Sequence, residues 1–546
     1  MADTEGNEDV IEGSVPGASQ NPVLQASNSF EDLSFSIEDD IPARKIRHAS
    51  GSINEIAEKK QEEDTDGDGE VRTSPITEEN EISENSDYAE QIDHMSIEDT
   101  DNEVFVSSGK DDEETTRIRS GTMLDKVDSV DREQLDEDVQ SAEWKSHKKH
   151  IFILSEAGKP IYSRYGAEDR LVTLMGVMQA LVSFVQADKN SIRSITAGDH
   201  KFIFLVRLPL ILVAVSSTQE SPQQLIVQLT YVYNQIVSVL TFSQLNRIFQ
   251  QRRNYDLRRL LTGTEKFIDN LLKLIDTDPS FLLQAVRCLP MSSTVRDIIA
   301  QSMHSAKVRD LVFSILISKN QLIALVRMKK YVLHPADLHL IFNLVSASTS
   351  FQAAESWTPI CLPKFDNSGF LHAHVSYLDD TDACLLLLTV DKELFFTLSD
   401  CRQKIFERLR KHGCLQAIRD SLNHDSYKVA QVGISDLRHF LYKSRSTAQF
   451  TSPAWEPPYT DLKQRERLFS MYHFLHQRIH CSRPLKILFH ATEKETLLGW
   501  ITSGFELYAT FGPLVTKPVA ITAINKLLKW IKKEEERFFI LNSPVF

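Results

Sequence analysis

Cysteine is scarce in this chain, with six in 546 residues. They stand at Cys288, Cys361, Cys384, Cys401, Cys414 and Cys481, with no C-x-x-C pair and no regular short spacing, so a disulfide framework is not indicated and reduced, mostly buried thiols are expected. The signatures of nucleotide-binding and hydrolytic sites are missing too: no G-x-x-x-x-G-K-[ST], no G-x-G-x-x-G between strand and helix, no G-x-S-x-G and no H-E-x-x-H. An enzyme with covalent or metal chemistry is therefore not expected, and no catalytic residue or cofactor is assigned. The opening MADTEGNEDV has no basic or apolar stretch, so no secretory signal is read there and an intracellular chain is expected. The most apolar run, KFIFLVRLPLILVAVSS, is broken by Arg207 and Pro209, which suits two adjacent buried strands and not a membrane span.

Aromatics are nearly absent from residues 1–143, which hold Phe30, Phe35, Tyr88 and Phe105 beside 41 acidic and 11 basic residues, a net charge of -30. Such a segment cannot bury a core and is expected to be a disordered acidic tail. The other 403 residues carry 35 acids and 50 bases, net +15, so the overall charge of -15 conceals a basic body. That length suits three domains of roughly 100–150 residues each.

One order of elements recurs three times in the body. From residue 150 come two strands about the Ala157-Gly158 turn, a helix over Glu168 to Ala187, strands at 191–197, 200–207 and 210–216, and a helix from Pro222 to Leu240. Extra helix follows through Leu245, Ile248, Leu257, Leu261, Phe267, Leu271 and Leu274, with a break at Gly263. The second copy runs from VRDLVFSILISKNQLIALVRM through a helix near Pro335 to Val345, three strands, and a helix in KELFFTLSDCRQKIFERLRKH. The third starts at LRHFLYKS, has a helix over Thr460 to Ile479, three strands, and a closing helix from Val519 to Arg537. This predicts an α+β architecture of three modules, each an antiparallel five-stranded sheet flanked by helices, which is the element order of a longin domain. The expected domains are a tail at 1–143, a first longin domain with extra helices at 144–280, a second at 281–430 and a third at 431–546.

Several stretches invite a functional reading. DTDGDG at 64–69 opens like a calcium loop, but position twelve is Pro75 where a bidentate Glu is needed, so an acidic linker is the better account. His147 and His150 have no third ligand nearby in sequence, and no metal site is assigned. RRNYDLRR at 252–259, with Tyr255, fits either phosphate binding or a solvated helix face. In the last helix Lys526, Lys529, Lys532 and Lys533 share one face, Ile521, Ile524, Leu527, Leu528 and Ile531 the other, and Trp530 the boundary. The apolar side is expected to dock on the third sheet, with the lysines available to anionic lipid. The first helix confines its polar residues to Arg170, Thr173, Gly176, Gln179, Ser183 and Gln186, leaving more apolar circumference than one sheet covers. Its second side needs either the 222–276 helices or another protein.

The phrases SEAGKPIYSRYG, MGVMQALVSFVQADKNSIRSI, NYDLRRLL, DLRHFLYKS, FTSP and WIKKEEERFFIL together resemble the Mon family of vacuolar fusion proteins across the whole body. The resemblance implies three longin modules and an obligate complex with a Ccz-type longin subunit. It further implies guanine-nucleotide exchange on a late-endosomal Rab GTPase, recruitment by an early-endosomal Rab and a phosphoinositide membrane, and no nucleic-acid partner. The expected location is cytoplasmic, peripheral to endosomal and lysosomal membranes. Partner or GTPase contact is expected around Tyr162, Arg164, Tyr165, Asp169, Val177 and Phe184, and membrane contact at Lys526, Lys529, Trp530, Lys532 and Lys533. A scaffold or coat-adaptor subunit without exchange activity is the alternative, since fold alone does not fix function.

The charge split yields a prediction of its own. A tethered segment of net -30 holds a high local concentration beside a body of net +15 and competes with anionic partners for its basic surface. FEDL at 30–33 and Ser29, Ser36 and Ser50 are candidate docking and modification points within it. Deleting residues 1–143 is expected to raise Rab binding and liposome-stimulated exchange, measured at low and physiological salt; a truncated complex no more active than the full-length one at either salt contradicts this.

Overall fold

The computed structural model describes residues 137–546 apart from 353, 379–380, 424–426 and 482, so the tail readings, DTDGDG and FEDL included, lie outside the described residues. In the first module β1 (Lys149–Ser155) and β2 (Pro160–Ser163) form a hairpin, and both strands are buried along their whole length. Gly158 takes φ +79 in the turn, a conformation open to glycine and strained for other residues. The 3₁₀ turn Glu168–Leu171 leads into α1 (Val172–Ala187), followed by β3 (Ser194–Ala197), β4 (His200–Arg207), β5 (Leu210–Ser216) and α2 (Pro222–Leu240). The strands pair antiparallel in the order β2-β1-β5-β4-β3. Alternation sorts the side chains of β1: Ile151 and Ile153 join one core with Leu225, Leu229 and Val232 of α2, while Phe152 and Leu154 join another with Met175, Met178 and Val182 of α1. α2 starts from a capping box in which Ser221 and Gln224 satisfy each other's backbone N–H groups, with Pro222 in the first turn. The extra helix expected next is divided into α3 (Phe242–Gln251), the short Arg258–Leu261, α4 (Glu265–Thr277) and the short Pro279–Leu283, with the expected break at Gly263 falling between the second and third.

The second module holds α5 (Ser293–Ser305), β7 (Leu311–Ser318), β8 (Gln321–Arg327), α6 (Pro335–Ala347), β9 (Ser356–Leu362), β10 (Asp366–Tyr377), β11 (Cys384–Thr389), α7 (Phe395–Lys411) and α8 (Cys414–Asn423). Its sheet order, β8-β7-β11-β10-β9, repeats that of the first. The third holds β12 (Leu437–Ser444), β13 (Gln449–Thr451), α9 (Leu462–Ile479), β14 (Ile487–Ala491), β15 (Thr496–Ile501), β16 (Phe505–Phe511) and α10 (Lys517–Lys533), with the order β14-β15-β16-β12-β13 and a sixth strand, β6 (Val286–Arg287), added in parallel. The expected α+β class with three five-stranded modules is thus the observed one. The helices α5 and α8 and the strand β6 were not anticipated. Gly499 in β15 sits where a Cβ would stand 2.3 Å from Ile479 Cδ1, so α9 packs on bare backbone there.

Buried polar groups join the modules. Tyr231 on α2 meets His339 on α6 at 2.9 Å, and the Asn343 amide on α6 donates to Gln235 on α2 at 2.8 Å. Arg296 of α5 aims its guanidinium at the carbonyls of Leu289, Glu536, Arg537 and Phe539. Gln224 at the start of α2 reaches His473 and His476 of α9 at 3.3 and 3.2 Å. Each bond satisfies a group whose burial unpaired costs about 1–3 kcal/mol, so these contacts hold the modules in one arrangement.

Candidate functional site

α1 carries two apolar stripes. Leu171, Met175, Met178 and Val182, at the i, i+4, i+7, i+11 positions of one face, are buried against Phe152, Leu154, Phe204, Ile211 and Val213 of the sheet. On the outer side Val177, Leu181 and Phe184 repeat the spacing, with Phe184 75% and Val177 54% exposed. The 222–276 helices do not cover this side, because α2 and α4 pack on the opposite face of the sheet. β3, which follows α1 in the chain, is the edge strand; it packs Ile195 against the same core and leaves most of its side chains exposed. An uncovered apolar stripe and an open strand edge are each features that protein-binding surfaces use.

The sequence reading named no transmembrane helix, yet residues Glu168–Ala187 match a membrane span by length and composition, with a mean hydropathy of 1.4 in the window. The helix lies with its inner stripe docked on the sheet, and its outer stripe is exposed.

The residues named from the hairpin separate into two groups. Tyr162 is 2% exposed and its hydroxyl donates to Asp269 at 2.5 Å, while Arg164 pairs with Asp276 at 2.7 Å. Both turn inward toward α4, so a surface role for these two side chains is corrected to a structural one. The same Asp276 lies 2.7 Å from the buried Lys149, which also pairs with Glu220 at 3.1 Å and donates to Gln228 at 2.9 Å. Burial opposes ionisation of Glu220, but Lys149 foremost, then His473 and hydrogen bonds from Thr218 and Gln228, hold its pKa at about 2. Tyr165 is half-buried, stacked on His147 with ring centroids 3.7 Å apart. His150 is buried between Trp144 and Phe152, and burial lowers its pKa to about 4. Asp169 is exposed and accepts from Arg258 at 2.9 Å, a contact that also engages the RRNYDLRR segment. Only Asp169, Val177 and Phe184 of the six present themselves outward.

On α10 the expected division holds. Ala523, Ile524, Leu527, Leu528 and Ile531 are buried on the third sheet, Lys526, Lys529, Lys532 and Lys533 are exposed, and Trp530 lies between, against Tyr427 and Phe538. Lys532 is paired with Glu535, which leaves Lys526, Lys529 and Lys533 as the more available charges.

One cluster escaped the sequence reading. His476 and His480 at the end of α9 converge with Glu506 of β16, His480 Nε2 lying 3.1 Å from Glu506 Oε1. The i, i+4 spacing of the two histidines was visible; the carboxylate, 26 residues away on another element, was not.

Comparison with known proteins agrees with the architecture. Residues 149–271, 309–407 and 436–535 match models of the first, second and third longin domains of FUZ, MON1 and HPS1. The chain is therefore a three-longin-domain protein. It is 56% identical over 413 residues to the human vacuolar fusion protein MON1 homolog A, covering 75% of this chain and 63% of that one. It is 54% identical over 412 residues to protein SAND of Takifugu rubripes, covering 75% and 79%, and 45% identical over 430 to human MON1 homolog B, covering 75% and 78%. The chain belongs to the MON1 family, and it spans just under two thirds of the human homolog A.

The inward and outward groups make opposite predictions for stability. Tyr162→Phe removes the buried hydroxyl's hydrogen bond to the Asp269 carboxylate and is expected to lower stability by about 1–3 kcal/mol, whereas Phe184→Ser, on the exposed stripe, is expected to shift it by no more than about 0.5 kcal/mol. Denaturant unfolding of the two variants measures both; the reverse order contradicts this assignment.

Proposed function

We propose that this chain is one subunit of a heterodimeric guanine-nucleotide exchange factor that activates a late-endosomal Rab GTPase, promoting conversion of early to late endosomes, fusion with the vacuole or lysosome, and autophagic delivery. Membership of a family whose relatives are named vacuolar fusion proteins supports the trafficking role. The observation that carries the subunit reading is the outer stripe of α1, Val177, Leu181 and Phe184, beside the open edge of β3. Fully burying an exposed apolar side chain contributes about 1.5–3 kcal/mol, so covering this stripe supplies several kcal/mol to a partner of matching shape. A second longin subunit of the Ccz type fits, because a like module offers its own apolar helix and strand edge. The joined first modules then form the surface that meets the Rab. There no side chain makes or breaks a bond: the complex binds the nucleotide-free GTPase more tightly than the loaded one, and by linkage weakens nucleotide binding by the same factor. Opening of the GTPase's first switch is the route.

Release of fluorescent GDP from the Rab tests the reading. The complex with the Ccz-type subunit is expected to accelerate release and the isolated chain to do little. Val177→Asp with Phe184→Asp should weaken subunit pairing and lower exchange about tenfold or more. A pure, paired complex that leaves release unchanged supports the scaffold alternative instead.

The membrane part rests on α10. Recruitment to endosomal and lysosomal membranes draws on an early-endosomal Rab and on lysines near a phosphoinositide surface, each worth about 1 kcal/mol there. Replacing Lys526, Lys529, Lys532 and Lys533 by Glu is expected to reduce flotation with phosphoinositide liposomes, more at low salt, with exchange in solution preserved. Unchanged flotation contradicts it.

A further inference from the structure

The cluster at the end of α9 has the composition and geometry of a cation site. His476 and His480 stand one helical turn apart, which places both imidazoles on one side of the helix. Glu506 approaches from β16, its Oε1 3.1 Å from His480 Nε2 and 3.9 Å from His476 Nε2. One ligand atom from each residue lies within 4.8 Å of the other two. An ion bound tetrahedrally at about 2.0–2.2 Å from nitrogen and oxygen spaces its ligands by roughly 3.3 Å, so small side-chain rotations close the three donors around it.

The surroundings prepare these donors. Burial opposes ionisation of Glu506, but the hydrogen bond from His480, then Lys443 and His476, hold its carboxyl below the usual range. Tyr508 donates to Oε1 at 2.5 Å and Lys443 lies 3.5 Å from Oε2, so the ammonium addresses the oxygen turned away from the histidines. Burial, together with His480, lowers the pKa of His476 to about 3 and keeps it a neutral ligand. The side chain of His480 is 33% exposed, which gives an ion a way in and leaves room for water as a fourth ligand. Two imidazoles and one carboxylate with an open position suit zinc and its borderline divalent neighbours; calcium and magnesium favour oxygen alone.

We propose that His476, His480 and Glu506 bind one zinc-class divalent transition ion that pins the end of α9 to β16. The ion is linked to the first module. The Gln224 amide nitrogen stands 3.2 Å from His476 Nδ1 while its oxygen accepts the Ser221 N–H at the start of α2. Ligation through His476 Nε2 puts a proton on Nδ1, so the amide must turn its oxygen toward the imidazole and release the Ser221 N–H. Ion binding in the third module thereby loosens the cap of a helix in the first.

Titration of the full chain with Co²⁺, a visible stand-in for Zn²⁺, tests the site. Wild type is expected to bind one equivalent with the ligand-field band of a low-coordinate site, displaced by Zn²⁺. His480→Ala is expected to weaken binding by more than about 100-fold, beyond what loss of an outer-shell partner costs, with unchanged far-ultraviolet circular dichroism. Added Zn²⁺ should also speed amide exchange at Ser221. Absence of a stoichiometric band in wild type, or wild-type affinity in folded His480→Ala, overturns the proposal. Should the variant fail to fold, Zn²⁺ protection of His476 and His480 from diethyl pyrocarbonate in wild type decides: protection supports the site and full modification overturns it.

Discussion

Every module depends on a sheet that is apolar on both faces. A strand such as KHIFILS, buried at all seven positions, cannot leave either side to water, so each sheet must acquire two helical layers. In the second module α5, α7 and α8 cover one face and α6 the other; in the third α9 and α10 divide the two. In the first module α2, α3 and α4 build a thick layer on one face, and α1, with Val139, Trp144 and Ile192 beside it, closes the other. Because α1 is apolar beyond what the sheet buries, satisfying the sheet leaves a second stripe in solvent.

The layers are tied by polar contacts at places where the chain changes module. His339 and Asn343 on α6 reach α2, Gln224 on α2 reaches α9, and Arg296 on α5 gathers four carbonyls, three of them from the C-terminal end. Burial lowers the pKa of His339 to about 4, so at neutral pH it serves as a neutral hydrogen-bonding group. Such contacts are directional, and they fix α2 against α6 and α9, and α5 against the C-terminal end.

The succession of strands and helices along each module was legible because two-sided burial writes continuous apolar runs into β1, β5, β7 and β11, and turns mark their ends; the order of the strands within each sheet was not. α5 was not, since Arg296 and Ser302 face inward and break the apolar stripe that identifies a helix. β6 is two residues long and pairs with a strand from a distant module, which no local pattern records. At the candidate site the outer stripe of α1 was readable from helical spacing. Tyr162 and Arg164 were misread because alternation tells one face from the other only when one face is wet, and here both are covered. Their acidic partners Asp269 and Asp276 lie more than a hundred residues away on α4.

The central claim is that the outer stripe of α1 and the edge of β3 form one surface that a second longin subunit covers. Amide hydrogen exchange, compared between the chain alone and the chain in its purified complex with a Ccz-type subunit, tests this most directly. The account predicts slowed exchange confined to Val172–Ala187 and Ser194–Ala197, with the second and third sheets unchanged. Protection that falls elsewhere while α1 and β3 exchange as in the free chain contradicts it.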